Sequence, residues 1–186
     1  MGDHASEIQR FAALFEEVGP AVYAWAEVRL NPALRRILDP QDILQEVGIR
    51  AFARFAAYDA ELRPFRAWVF GIAANVLKEA FREIARGRSM SGVQASADPT
   101  VSVLLATSTA VSRRVARSET VKRLLDAVNA LPEDEKKLVM LRGLEGLSFP
   151  EISEIMQIDV ETAKKRWQRL RSRLAELCPD EAILAT

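Results

Sequence analysis

Apolar residues recur at helical spacing along almost the whole chain. Ile8, Phe11, Ala12 and Phe15 form a first stripe, and Ser6 stands ahead of them as a helix cap. Gly19-Pro20 predicts a break. A second stripe, Val22, Trp25, Ala26 and Leu30, runs to Asn31-Pro32. Asp39-Pro40 is a start signal: Asp39 can accept orphan N–H groups, Pro40 fits the first turn, and Asp42 places negative charge where the helix dipole favours it. This helix is expected to end near Phe55. Leu44, Val47, Ala51, Phe52 and Phe55 face inward, with Asp42, Gln45, Glu46 and Ile49 on the opposite face. Residues 56–64, AAYDAELRP, predict a loop. The helix after it, 65–85, turns Phe65, Trp68, Val69, Ile72, Val76 and Ala80 to a core and Asn75, Lys78, Arg82 and Arg86 to another face.

The pattern stops at residues 89–112. Six serines, three threonines and a single charge, Asp98, replace it. This is a linker composition, with a transient helix near 101–111. As a coil it would span roughly 25–30 Å. Helical spacing resumes with Val121, Leu124, Leu125, Val128 and Leu131. Pro132 restarts the chain, Leu138, Val139 and Leu141 pack, and Gly143 is a candidate C-cap. Ser148 with Glu151 is a capping box, followed by an apolar stripe of Ile152, Ile155 and Met156. After a short turn Asp159 caps a last helix, which Pro179 closes. There Val160, Ala163, Trp167, Leu170 and Leu174 face inward, while Thr162, Lys165, Arg166, Arg169 and Arg173 share an outer face.

No segment alternates as a strand would, so the fold class is all-α: two helical domains joined by a flexible linker, the second containing a helix-turn-helix. The boundaries fall at 1–88, 89–117 and 118–186. The chain has 186 residues and a formal net charge of zero, so total charge points to no partner. Its distribution does. From Val160 to Leu174 the last helix sets Lys164, Lys165, Arg166, Arg169, Arg171 and Arg173 against one acid, Glu161. A cationic rod held by a short partner helix is the arrangement that enters a DNA groove, where cations reach phosphates and base edges. A solvated face on an ordinary bundle is the plainer reading of such a run. The capped short helix, the tight turn and the sorted faces favour DNA.

Other chemistry is poorly supplied. Cys178 is the one cysteine and His4 the one histidine, so neither a disulfide, a thiolate cluster nor histidine catalysis is expected. Neither a metal nor a cofactor is expected, and a helical enzyme or metal carrier lacks the E-x-x-H ligand pattern. Acids and bases throughout residues 1–30 argue against a signal peptide, and no apolar run suits a membrane span. A soluble cytoplasmic protein is the expectation. The Asp42 face is either merely solvated or a dock for a basic partner helix. Tyr58 beside a polar-to-basic face suits single-stranded nucleic acid, whereas Phe65 and Trp68 at helical spacing fit a core.

Two blocks carry a family resemblance. DILQEVGIRAFARF…FRAWVFGIAANVLKEAFR resembles region 2 of bacterial sigma factors, and ALPEDEKKLVMLRGLEGLSFPEISEIMQIDVETAKKRWQRLRSRL resembles region 4. Two helical domains and a linker are similar to the small extracytoplasmic-function (ECF) type. The resemblance implies a dissociable subunit of RNA polymerase with no active site of its own. The D-x-x-Q-E helix would dock on the coiled coil of the largest catalytic subunit through Asp42, Gln45 and Glu46, with Ile49 on the same face. The following loop and helix would open the promoter −10 element and hold a flipped base, which implicates Tyr58, Arg66, Asn75, Lys78 and Arg82. The last helix would read the −35 element with Thr162, Lys165, Arg166 and Arg169, while Lys164, Arg171 and Arg173 meet phosphates. Core polymerase and promoter DNA are the implied partners, and an anti-sigma protein covering these faces is a further one. Three positions depart from the pattern: Gly48 inside a helix, where glycine costs about 1 kcal/mol relative to alanine, Gln157 where the turn commonly has glycine, and Lys165 on the reading helix. A conventional helix-turn-helix repressor or activator is the alternative, and it would bind a two-fold duplex site as a dimer.

Overall fold

A computed structural model of the chain describes residues 2–30, 33–87, 109–110, 113–115, 117–177 and 184. Pro20 does not break the first helix. It lies inside one continuous helix, α1 (Gly2–Arg29), so neither the expected break nor the Ser6 cap exists. Proline inside a helix costs about 3 kcal/mol, and packing offsets it. Val18, Gly19 and every residue from Ala21 to Ala26 are buried. Around the proline the helix touches protein on nearly all sides, and Gly19, Ala21, Ala24 and Ala26 are small enough to let its neighbours approach.

Those neighbours are α2 (Pro40–Ala53) and α3 (Phe65–Ala85). The three helices pack pairwise. Asp39 caps α2 as expected, its carboxylate accepting the Gln41 N–H at 2.8 Å. The helix ends at Ala53, and a 3-10 turn, Phe55–Ala57, follows. Ile43, Leu44, Val47 and Ala51 are fully covered, Gly48 is also buried, and Phe52 is only half-buried. Gly48 thus gives up helix propensity at a buried position of α2. Phe11 is the hub of an aromatic cluster: its ring lies 5.2 Å from Phe52, 5.3 Å from Phe55 and 5.4 Å from Phe15.

Most of the expected linker, with its helix near 101–111, lies outside the described residues. Of that stretch, residues 109–110 and 113–115 are helical, Val115 is buried, and Arg114 pairs with Glu16 of α1 at 3.3 Å. The chain divides into two units, 1–117 and 118–186, all-α and without a strand among the described residues.

The second unit contains α4 (Glu119–Asn129), α5 (Glu133–Leu138), α6 (Phe149–Met156) and α7 (Val160–Leu177). Ser118 caps α4. Gly143 is not a C-cap. Val139–Leu144 widens into a π turn, with the Glu145 N–H reaching back to the Met140 carbonyl at 2.9 Å. Gly143 is buried within that turn, and a β-carbon there would lie 3.0 Å from the Trp167 ring and 3.0 Å from Leu184. Gly146, not Gly143, supplies the left-handed residue, at φ 75°. A wider turn brings backbone against an indole that a side chain would hold off. Pro179 and Cys178 lie outside the described residues.

Candidate nucleic-acid and polymerase interfaces

The helix-turn-helix is built from its caps. Ser148 Oγ accepts the Glu151 N–H at 3.5 Å, and Glu151 accepts the Ser148 N–H at 2.8 Å, closing the expected capping box. Gln157 ends α6 in the left-handed region at φ 53°. A non-glycine residue is strained there. The turn is held by two bonds between Ser153 and Ile158: the hydroxyl donates to the Ile158 carbonyl at 2.6 Å, and the Ile158 N–H donates to the Ser153 carbonyl at 3.2 Å. Asp159 then caps α7 through the Thr162 N–H at 2.8 Å and also accepts from the Thr162 hydroxyl. Hydrogen bonds to the charged form hold both cap carboxyls, Glu151 and Asp159, below the ordinary carboxylate range. The expected stripe on α6 is narrower than its spacing suggests. Ile152 is buried and Met156 half-buried, while Ile155 is 47% exposed. An eight-residue helix presents too little surface to cover all three.

On α7 the faces sort as expected. Ala163, Trp167, Leu170 and Leu174 are buried, and Val160 is half-buried. Lys165, Arg166, Arg169 and Arg173 are exposed, while Thr162, Lys164 and Arg171 are half-buried at the flanks. Lys164 has the partner that its i,i+3 spacing signals, and Arg173 has one that spacing did not reveal. Lys164 pairs with Glu161 at 2.7 Å, and Arg173 reaches Glu135 of α5 at 3.1 Å. Arg166, Arg169 and Arg173 line one side of a groove of about 420 Å³, facing Asp134, Glu135 and Leu138. A duplex phosphate would therefore compete with Glu135 for Arg173.

In the first unit Asp42 is exposed, and Gln45, Glu46 and Ile49 are half-buried beside it. Partial burial, with the neighbouring charge of Asp39, raises the Asp42 carboxyl above its ordinary value. Glu46 is less available than its spacing suggests. Its side chain is 12% exposed and accepts from Arg50 at 2.6 Å, and Arg50 also pairs with Glu79 of α3. Burial alone would lower the Arg50 guanidinium, but these two acids outweigh it and raise it. The bridge joins α2 to α3. The i,i+4 spacing of Glu46 and Arg50 signalled half of it; Glu79, far along the chain, gave no signal.

Of the residues assigned to the −10 element, Asn75, Lys78 and Arg82 lie exposed at intervals of three and four on α3. Arg66 and Tyr58 are placed differently. Arg66 is half-buried, with its guanidinium 5.7 Å from the Phe70 ring, and burial lowers it to about 10. The Tyr58 ring lies 5.0 Å from Trp68 and 5.4 Å from Phe65, and its hydroxyl donates to the Arg63 carbonyl at 3.2 Å. Trp68, expected in the core, is half-buried at the rim of this cluster.

Comparison with known proteins agrees with this geometry. The Sigma-70 region 2 family model matches residues 14–87, which span α1 to α3, and the Sigma-70 region 4 model matches residues 122–174, which hold the helix-turn-helix. The ECF RNA polymerase sigma-E factor of Haemophilus influenzae is 31% identical over 140 residues, covering 73% of this chain and 72% of that protein. The chain belongs to the ECF family of RNA polymerase sigma factors. The ECF sigma factor BldN of Streptomyces coelicolor is 28% identical over 184 residues, 96% of this chain but 64% of the longer BldN. SigW of Bacillus subtilis is 26% identical over 149 residues, 79% of each chain. A sigma factor binds core RNA polymerase and directs promoter-specific transcription; it is a regulatory subunit rather than a catalyst. Both regions occur in order on one chain, which disfavours the conventional helix-turn-helix regulator. No helix among the described residues is long and apolar enough to cross a membrane. Among those residues no three or more His, Cys, Asp and Glu side chains are grouped to hold a metal.

Proposed function

We propose a division of labour for this sigma factor. Residues 1–88 grip core polymerase through Asp42, Gln45, Glu46 and Ile49. The same module opens the −10 element with the loop 56–65 and the stripe Asn75, Lys78 and Arg82. Tyr58 and Arg66 act there chiefly from behind, one bracing the loop and the other packed on Phe70. Residues 89–117 tether a second module, 118–186, which reads the −35 element. Lys165, Arg166 and Arg169 meet base edges or backbone, Lys164, Arg171 and Arg173 meet phosphates, and Thr162 lies at the first turn. The observation that carries this reading is α7, which buries its apolar side within its own unit and presents Lys165, Arg166 and Arg169 outward.

The sigma factor acts in the cytoplasm without catalysis of its own, since phosphoryl transfer belongs to the polymerase. An anti-sigma protein covering the Asp42 face or the α7 face would silence it. Run-off transcription with and without this chain tests the whole scheme. Asp42→Ala with Glu46→Ala should weaken core binding and spare −35 duplex binding, and Arg166→Ala should do the reverse. Loss of both activities by both variants, in protein that remains folded, would reject these faces.

A further inference from the structure

Glu135 of α5 holds one of the cations that −35 binding calls on. Arg166, Arg169 and Arg173 line one side of the groove beside α7, and Asp134 and Glu135 stand opposite. Arg173 Nη1 donates to Glu135 Oε1 at 3.1 Å. Among the described residues the other two arginines have no acid partner; the Arg169 Nε donates to the Lys165 carbonyl at 3.4 Å. The lysines of α5 are engaged elsewhere, and neither lines the groove. Lys136 pairs with Glu133 at 2.8 Å, and Lys137 donates to the Ile155 carbonyl at 3.3 Å. To the cationic side of α7, then, α5 presents its acids.

The pair falls short of the geometry that stability alone would favour. An arginine and a carboxylate commonly close two parallel bonds. Here Glu135 gives one oxygen, and its Oε2 is buried without a hydrogen-bond partner among the described residues. A buried oxygen left unpaired costs free energy, which weakens the hold of the carboxylate on its site. The Arg173 side chain is 54% exposed, so a phosphate can reach it while the fold stays as it is. A DNA phosphate offers the guanidinium a second acceptor oxygen, and exchange frees Glu135 to turn its carboxylate to water.

We propose that Glu135 is an internal competitor for DNA phosphate, holding Arg173 until a duplex displaces it and so restraining the binding of α7 to any DNA. This rests on the assignment of Arg173 to phosphate beside the −35 element. The full chain is titrated, by fluorescence anisotropy, onto a duplex carrying the −35 element of a promoter chosen by run-off transcription, and onto an unrelated duplex of equal length. Glu135→Gln should tighten both about fivefold, the upper range for release from an exposed ion pair. The gain should be the same on both duplexes, because a phosphate contact carries no sequence information. Its salt dependence should also steepen, by up to about 0.9 in the log–log slope. Glu135 freed by DNA takes up a cation from solution, whereas glutamine takes none. Asp134→Asn, which removes a charge from the same groove but no bond to Arg173, should have a smaller effect. With Arg173→Gln in place, Glu135→Gln should change nothing, since the competitor then has nothing to hold. An exposed pair adds little stability, so each variant should keep the thermal midpoint of the unaltered chain. Unchanged or weaker binding by Glu135→Gln overturns the proposal. So does an equal gain from Asp134→Asn, or a gain that persists beside Arg173→Gln, either of which would reduce Glu135 to diffuse charge. If Arg173→Gln by itself leaves duplex binding unchanged, or neither the unaltered chain nor Glu135→Gln binds a duplex, the −35 assignment fails and the competitor with it.

Discussion

Gly143→Ala places one methyl group where the fold has no room for it. The new carbon would lie 3.0 Å from the Trp167 ring and 3.0 Å from Leu184, inside van der Waals contact. Trp167 is buried and cannot swing outward, so α7 or the π turn must shift by a few tenths of an ångström. Overpacking of this kind costs about 1–3 kcal/mol. Replacing glycine by alanine in a helix returns up to about 1 kcal/mol, leaving a net loss of about 1–2 kcal/mol. For a unit of this size that lowers the melting midpoint by about 5–10 °C. Thermal unfolding of the full chain, followed by helical circular dichroism, measures it. Gly71→Ala is the control: Gly71 is exposed on α3, its new carbon meets only the mobile end of Arg63 at 3.5 Å, and it should gain about 0.5–1 kcal/mol. Because Trp167 is flanked on α7 by Arg166 and Gln168, Gly143→Ala should also weaken −35 duplex binding. Unchanged stability in Gly143→Ala, beside a gain in Gly71→Ala, would refute the claim that the turn is shaped around the indole.

Three further outcomes follow from the same geometry. Asp42 is easier to protonate in the folded chain than in the unfolded one, so its charge opposes folding once pH rises through its raised folded value. Asp42 is also exposed, and its charge lies in the first turn of α2, where the helix dipole favours it, so the two effects oppose. Asp42→Asn should move the melting midpoint little at pH 7 while weakening core binding in a pull-down, and unchanged core binding would contradict its place on the docking face. Gln157→Gly relieves a left-handed residue at φ 53° and should stabilise the second unit by about 0.5–1 kcal/mol in a denaturant titration, after the greater freedom of unfolded glycine is discounted. The cap carboxyls Glu151 and Asp159 shift the other way: their contribution is full above the unfolded value and is lost as pH falls through the lowered folded value. Acid titration below the ordinary carboxylate range should thus weaken the helix-turn-helix, and Ser148→Ala, which removes one partner, should cost about 1 kcal/mol at neutral pH.

How much of this was legible depended on the range over which each force acts. Caps are local, so Asp39, Ser148 with Glu151, and Asp159 declared themselves within four residues. The two faces of α7 follow from a single helical period, whereas the left-handed Gln157 was signalled by the family resemblance, which commonly has glycine there. Pro20 misled because its cost is local while the burial that offsets it comes from α2 and α3. Gly143 misled for a related reason: a glycine after a helical run usually ends it, and only the position of Trp167 shows that this one accommodates a ring. The candidate sites divide in the same way. Asp42, Asn75, Lys78 and the outer α7 cations were readable as faces. The pairs Arg50–Glu79 and Arg173–Glu135 join residues distant in sequence, and they change which charges are available to a partner.

The cap on α7 has a consequence for how promoter choice can drift. Asp159 engages both the amide and the hydroxyl of Thr162, and Lys164 is occupied with Glu161. The opening turn of the helix is thereby spoken for by its own scaffolding. Under the proposed −35 assignment, base reading would begin at Lys165, leaving Lys164 to phosphate alone, and substitutions at 165, 166 and 169 would retune sequence preference without unsettling the fold beneath them.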